Sequence, residues 1–337
     1  MKGKGAAANG RGTSSPALLG LVLCLALAVV MLAGISFGVS DLPVADALRL
    51  LFAPDGSPQS ALVWDVRLPR TVLALLIGAN LAIAGVLIQT LTRNPLASPQ
   101  TFGINAGASL MIVLCLIALP GLRGAGTVGP AFAGAAAVGF AMWALSVSGA
   151  MNDMKLALAG ISIQLVLAAL VQAILIANNA AQDIVYWLAG SINGAQWGKV
   201  AIILPFTLVG GGIALLAGRH FGVLALDETT GLSLGQNARR AGGLAAVLIV
   251  VLAGSAVAVG GPIGFIGLLV PHIVRRLAGS DQLTLIVLSA IAGPLLLNAA
   301  DLLGRVAAFP AEVPVGIVTA LVGAPAFLAI LWQQRAR

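Results

Sequence analysis

Charged residues divide this chain into long uncharged runs. These fall at 12–40, 71–92, 94–122, 124–152, 156–182, 200–218, 241–274, 282–300 and 313–334. Each is close to or beyond the roughly 20 apolar residues a helix needs to cross hydrocarbon, and none alternates in the ten-residue manner of a membrane barrel strand. The run 241–274 is the exception in length: its 34 residues would make a helix of about 51 Å. Gly260-Gly261-Pro262 stands in its middle, where a glycine pair and a proline break a helix. The pattern therefore predicts an all-α chain of ten transmembrane helices.

The basic residues test that break, because it decides the side of the membrane on which everything after Pro262 lies. With ten helices and both termini cytoplasmic, twelve basic residues are inside: Lys2, Lys4, Arg11, Arg93, Lys155, Arg219, Arg239, Arg240, Arg275, Arg276, Arg335 and Arg337. Six are outside: Arg49, Arg67, Arg70, Arg123, Lys199 and Arg305. With nine helices the bias vanishes, so the positive-inside rule favours ten. Residues 1–16 form a polar, glycine-rich basic tail expected to be disordered. Residues 17–337 form one ten-helix membrane domain, with 18–37 read as a retained first helix rather than a cleaved leader. The longest outer segment is Ser40 to Trp64, and the longest inner one is 219–240.

Composition agrees and excludes other classes. Of 337 residues, 59% are hydrophobic and only 9% charged, too few to solvate a soluble fold of this size. The net charge of +7 is dispersed among apolar runs, so no nucleic-acid-binding face is expected. Cys24 and Cys115 lie inside uncharged runs and read as small buried hydrophobes, without disulfide or metal role. His272 lacks a second ligand nearby and reads as a packing or capping residue. Trp64, Trp187 and Trp197 fall near outer interfaces, as aromatic belts do. Glycine, at 42 residues, points to close helix packing.

The chemistry that would power transport is missing from the chain itself. Every carboxylate falls near a predicted helix end, where a proton- or sodium-coupled transporter places one at mid-membrane. No phosphate-binding loop of the G-x-x-x-x-G-K-[ST] kind occurs, and no nucleophile with a base or H-E-x-x-H, so no catalytic residue, metal site or cofactor is expected.

Several long motifs then carry a specific resemblance. In the first half they are Arg67-Leu68-Pro69-Arg70, Gly85 to Gln89, Leu91-Thr92-Arg93-Asn94-Pro95-Leu96-Ala97-Ser98-Pro99, and Phe102-Gly103-Ile104-Asn105-Ala106-Gly107-Ala108. In the second they are Gly261 through His272, Glu312 through Thr319, and Gly323-Ala324-Pro325. Together these resemble the FecCD-type permease family of bacterial ABC importers for iron-siderophores, haem and cobalamin. That resemblance implies ten helices per subunit, a second permease subunit that is an identical copy or a sister, two cytoplasmic ATP-binding subunits, and a periplasmic or lipid-anchored binding protein. It places the chain in the bacterial inner membrane, surrounded by lipid, with a ferric chelate as cargo. Tyr186-Trp187-Leu188-Ala189-Gly190-Ser191 and Ala278-Gly279-Ser280-Asp281-Gln282 lean toward the ferric dicitrate and hydroxamate members. Haem or cobalamin import, and a secondary transporter without an ATPase, stay open as alternatives.

The resemblance also implies site residues. Arg67, Arg70 and Arg305 match positions that dock acidic residues of the binding protein; local pairing, with Asp65 beside the first two and Asp301 four residues before Arg305, is the alternative. Leu226, Asp227, Glu228, Thr229, Thr230, Gly231, Leu232, Ser233, Leu234 and Gly235 match the coupling segment that sits in the ATPase; an ordinary amphipathic loop is the alternative. Asn94, Leu96, Asn152, Asp153 and Met154 match the cytoplasmic gate, against a simple capping role.

Overall fold

The computed structural model describes residues 15–38, 42–119, 121, 124–147, 153–178, 182–225, 238–309 and 311–335. The expected tail within residues 1–14, the coupling segment 226–235 and Asn152 lie outside the described residues. Ten helices of 13 residues or more run through the described part: α1 (Pro16–Ser36), α2 (Pro58–Leu91), α3 (Ile104–Ala118), α4 (Val128–Val147), α5 (Asp153–Ala177), α6 (Trp197–Leu216), α7 (Ala238–Gly260), α8 (Ile266–Ala278), α9 (Gln282–Ala307) and α10 (Val315–Arg335). The expected all-α, ten-helix architecture is what the chain adopts. Seven of the ten are long and apolar enough to cross a membrane over their described residues; α3 is a shorter apolar helix, as is the Val315–Ala329 stretch of α10.

α2 is the axis of the bundle. About nine-tenths of its most apolar stretch is buried, against about one-tenth for α1 and under a fifth for α5. It packs against α9, α7, α8 and α6, while α3 and α4 pair beside α7, and α1 lies along α9. Close approach comes from glycines set opposite one another. Gly78 of α2 faces Gly293 of α9, Gly85 of α2 faces Gly267 of α8, and Gly107 of α3 faces Gly134 of α4. A Cβ at any of these would overlap the facing backbone, which is how small residues bring membrane helices into contact where apolar burial offers no driving force.

α2 begins well before its uncharged run. Ser57 caps the start by accepting from the Ser60 N–H at 3.1 Å, and Pro58 occupies the first helical position. Asp65 and Arg67 then lie in a π-turn, Leu62–Arg67, and Arg70 in the α-helical turn that follows. What reads as an outer loop from Ser40 to Trp64 is thus a short helix, Val44–Phe52, followed by the first turns of α2.

The break in the 241–274 run falls where the glycines and proline predict. α7 ends at Gly260, Gly261 takes φ +71°, Phe265 takes φ +66°, and α8 starts at Ile266. At 13 residues α8 is about 20 Å long, too short to cross hydrocarbon alone. The non-helical stretch between α7 and α8 is buried at Gly261 and Ile263 and half-buried elsewhere, with Asn105 Nδ2 donating to Ile263 O at 3.4 Å.

One expectation is corrected. Cys24 is exposed and Cys115 half-buried. α1 carries apolar side chains on every face but touches the bundle along only one, so the other faces, Cys24 included, are left for lipid. His272 is buried on α8, as a packing residue would be, and no group of metal-ligating side chains forms among the described residues.

Candidate functional site at the two ends of the central helix

At the N-terminal end of α2, Arg70 and Arg305 converge on two acids, while Arg67 reaches the end of α1. Arg70 forks onto Asp301, with Nη2 at 2.8 Å and Nε at 3.0 Å from Oδ1, and its Nη1 reaches Glu312 Oε2 at 2.8 Å. Arg305 donates Nη2 to the other oxygen of Asp301 at 2.8 Å, the i,i+4 pair weighed from the sequence. Arg305 Nη1 also donates to Gly34 O at 2.8 Å, and Arg67 Nη1 donates to Ile35 O and Ser36 O at 2.7 and 2.8 Å. Two guanidinium groups therefore sit on the last carbonyls of α1, which a helix C-terminus leaves unpaired and partly negative.

All three arginines are buried, where the sequence reading expected exposed side chains. The reason lies in their partners. Asp301 is only 2% exposed and would be a costly isolated charge, so it takes a cation on each oxygen. Glu312 comes from the segment before α10, and its backbone carbonyl accepts from Tyr186 Oη at 2.7 Å. Trp197 Nε1 donates to Trp64 O, and Trp64 Nε1 to Leu50 O, so tryptophans assigned to one interface do lie together at one end. Sequence reasoning missed Glu312 as the second acid; its only signal was its place at the head of the Glu312-Val313-Pro314 motif.

At the other end of α2, polar side chains tie it to its neighbours. Gln89 donates to Leu268 O at 3.2 Å and accepts from Arg275 Nη1 at 3.0 Å, while Thr90 and Gln282 bond to each other at 2.8 Å. Asp281 caps α9 by accepting from the Thr284 hydroxyl at 2.6 Å and backbone N–H at 2.9 Å, and these bonds hold its carboxyl below the usual range. The chain then turns through Arg93, at φ +50°, into the loop of the expected gate. Asn94 Oδ1 accepts from Leu96 N–H at 2.9 Å, an Asx turn, and Leu96 is 40% exposed. Arg93 Nε donates to Leu224 O at 3.0 Å. Asp153 and Met154 lie in the first turn of α5. Sequence reasoning missed Gln89, Thr90 and Gln282 as a group; two adjacent polar residues at the end of an otherwise apolar helix were the available signal.

Among the described residues Asp301 is the one buried acid, and it stands at a helix end between two arginines. The geometry is a packed helical bundle around α2, with an ordered ion-pair cluster at one end and an exposed polar loop at the other.

Comparison with known proteins agrees. The model of the FecCD transport family matches residues 25–333. The chain is 45% identical over 316 residues to the Fe(3+)-citrate import system permease protein YfmD of Bacillus subtilis, covering 94% of this chain and 95% of that protein. It is 39% identical to the Fe(3+) dicitrate transport system permease protein FecC of Escherichia coli, covering 89% and 92%. Among solved structures, a chain described as an inward-facing conformation of a metal-chelate type ABC transporter superposes with a TM-score of 0.80 at 26% identity, covering 94% of this chain and 99% of the other. A match across nearly the whole length leaves one conclusion: this chain belongs to the FecCD transport family.

Proposed function

We propose that this chain is the membrane-spanning permease subunit of an ATP-driven importer for a ferric chelate, with the ferric citrate class first. The observation that carries the reading is the 45% identity to a Fe(3+)-citrate permease over 94% of the chain. The electrostatics support it. A proton-coupled transporter needs a titrating group along its path, whereas Asp301, the buried acid among the described residues, is held between Arg70 and Arg305. Energy then comes from two ATP-binding subunits gripping residues 226–235, and a second permease copy completes the path.

In this reading the N-terminal end of α2 faces outward, the end with Gln89 and Arg93 faces the cytoplasm, and both termini are cytoplasmic. A binding protein meets the outer end. Arg67, Arg70 and Arg305 order that end through Asp301, Glu312 and the α1 carbonyls, so their contribution to docking is to hold the landing surface in shape. Asn94, Leu96, Asn152, Asp153 and Met154 close the inner end of the path.

Substrate class is tested with the complex reconstituted in proteoliposomes and its binding protein loaded with radiolabelled ferric citrate, a ferric hydroxamate, haem or cobalamin. Import of ferric citrate or ferric hydroxamate is expected. Import of cobalamin or haem alone would move the chain to the other branch of the family.

A further inference from the structure

Arg93 combines two features at the cytoplasmic end of α2. It holds a left-handed backbone conformation, φ +50°, which a long side chain adopts only where its surroundings impose it. It also reaches across the fold, its Nε donating to Leu224 O at 3.0 Å. Arg93 immediately precedes Asn94, and Leu224 lies two positions before Leu226. This bond joins the start of the loop 94–96 to the turn that precedes the segment 226–235.

The surroundings decide where a pull on that bond would go. α2 is fixed just before Arg93: Gln89 is bonded to Leu268 O and to Arg275, and Thr90 to Gln282. Gln89, Thr90 and Gln282 are all buried, so these bonds resist solvent competition. On the other side, Leu224 sits in the short 3₁₀ turn Gly222–Ala225, packed against both α2 and α7. The loop after Arg93 is the softer member. Asn94 N–H still donates to Gln89 O at 3.1 Å, but beyond it the hydrogen bonds are internal to the loop, from Leu96 N–H to Asn94 Oδ1 and from Ala97 N–H to Asn94 O, and Pro95 and Leu96 are exposed. A pull from the 222–225 turn would therefore meet less resistance in the loop 94–96 than along α2.

We propose that Arg93 is the positioning residue that transmits movement of the ATPase-gripped segment to the cytoplasmic gate. This rests on the functional reading above, which assigns 226–235 to the ATP-binding subunits and 94–96 to the gate. Arg93 touches neither cargo nor nucleotide. Its role is to make the two cytoplasmic segments move together.

The test uses the complete complex of permease, ATP-binding subunits and binding protein in proteoliposomes, with radiolabelled ferric citrate as probe, or a ferric hydroxamate where that is what the wild type imports. Arg93→Gly removes the guanidinium while suiting the left-handed backbone, so it separates the side chain from the strain. The expected result is assembly and basal ATP hydrolysis near wild type, with chelate imported per ATP hydrolysed falling about tenfold, a usual size for coupling between two sites. Arg93→Lys, which keeps a long cationic donor, should restore most of that ratio. An unchanged ratio in Arg93→Gly overturns the proposal, as does a parallel loss of uptake and hydrolysis. Should Arg93→Gly fail to assemble, Arg93→Gln is judged by the same ratio, and failure of both to assemble makes Arg93 a folding residue and also overturns the proposal. A wild-type complex that imports no ferric chelate contradicts the parent reading instead, so the two failures are distinct.

Discussion

Arg70 shows how far a single side chain can be read from sequence. Its spacing from Arg67 and its position at the head of an apolar run were visible, and so was Asp301 as a partner for Arg305. Its own partners were not, because Asp301 and Glu312 lie 231 and 242 positions away and only the packing of α2 on α9 brings them together. The consequence is quantitative. An exposed ion pair is worth about 0.2–1 kcal/mol, but removing one member of a buried pair costs about 3–5 kcal/mol, because the other charge is left without compensation. Arg70→Ala is expected to lower stability by several kcal/mol, read as a large drop in thermal midpoint of the detergent-purified subunit. Arg70→Lys should recover only part, since a lysine makes no bidentate fork. A variant as stable as wild type would show that the cluster carries no structural weight, and would leave docking as the reason for the three arginines.

Most of the helices were legible, for a plain reason: lipid demands long uncharged runs, and charges mark their ends. The break after Gly260 was equally plain, since Gly-Gly-Pro inside an overlong run has few other readings. The start of α2 was hidden. Arg67 and Arg70 read as lying at a helix start, yet the helix begins earlier, at Pro58, and runs through a π-turn at Leu62–Arg67, with both guanidinium groups met from inside. Glycine abundance was visible too, but which glycines face one another depends on register. Gly85 is the sharpest case, because a Cβ there overlaps the backbone of Gly267 on α8. Gly85→Leu should separate α2 from α8 and cost at least about 1–3 kcal/mol from overpacking, measured as lost thermal stability and lost assembly with the partner subunits. Gly243, beside which nothing crowds a Cβ, is the control, and Gly243→Ala should be neutral or mildly stabilising. Equal behaviour of the two would contradict the packing described for α2.

On the scale of the whole molecule, the orientation of the bundle and the source of its energy belong together, because the cytoplasmic end is the end an ATPase can reach. Ser280 is exposed in the turn between α8 and α9. With Cys24 and Cys115 replaced by serine, Ser280→Cys should resist a membrane-impermeant thiol reagent in intact cells and react once the membrane is opened; efficient labelling in intact cells would reverse the orientation. The positive-inside count predicts that placement, but no pattern in the sequence could display the cross-fold ties of Arg93 and Arg70, which arise only from packing. The central claim is that import is driven by ATP through partner subunits and not by an ion gradient through this chain. It is tested most directly by uptake of binding-protein-delivered ferric chelate into proteoliposomes holding the complete complex, with ATP supplied on the ATPase side and the proton and sodium gradients dissipated by ionophores. The account predicts uptake that tracks ATP hydrolysis and persists without any ion gradient; uptake that needs a gradient and proceeds without ATP would contradict it.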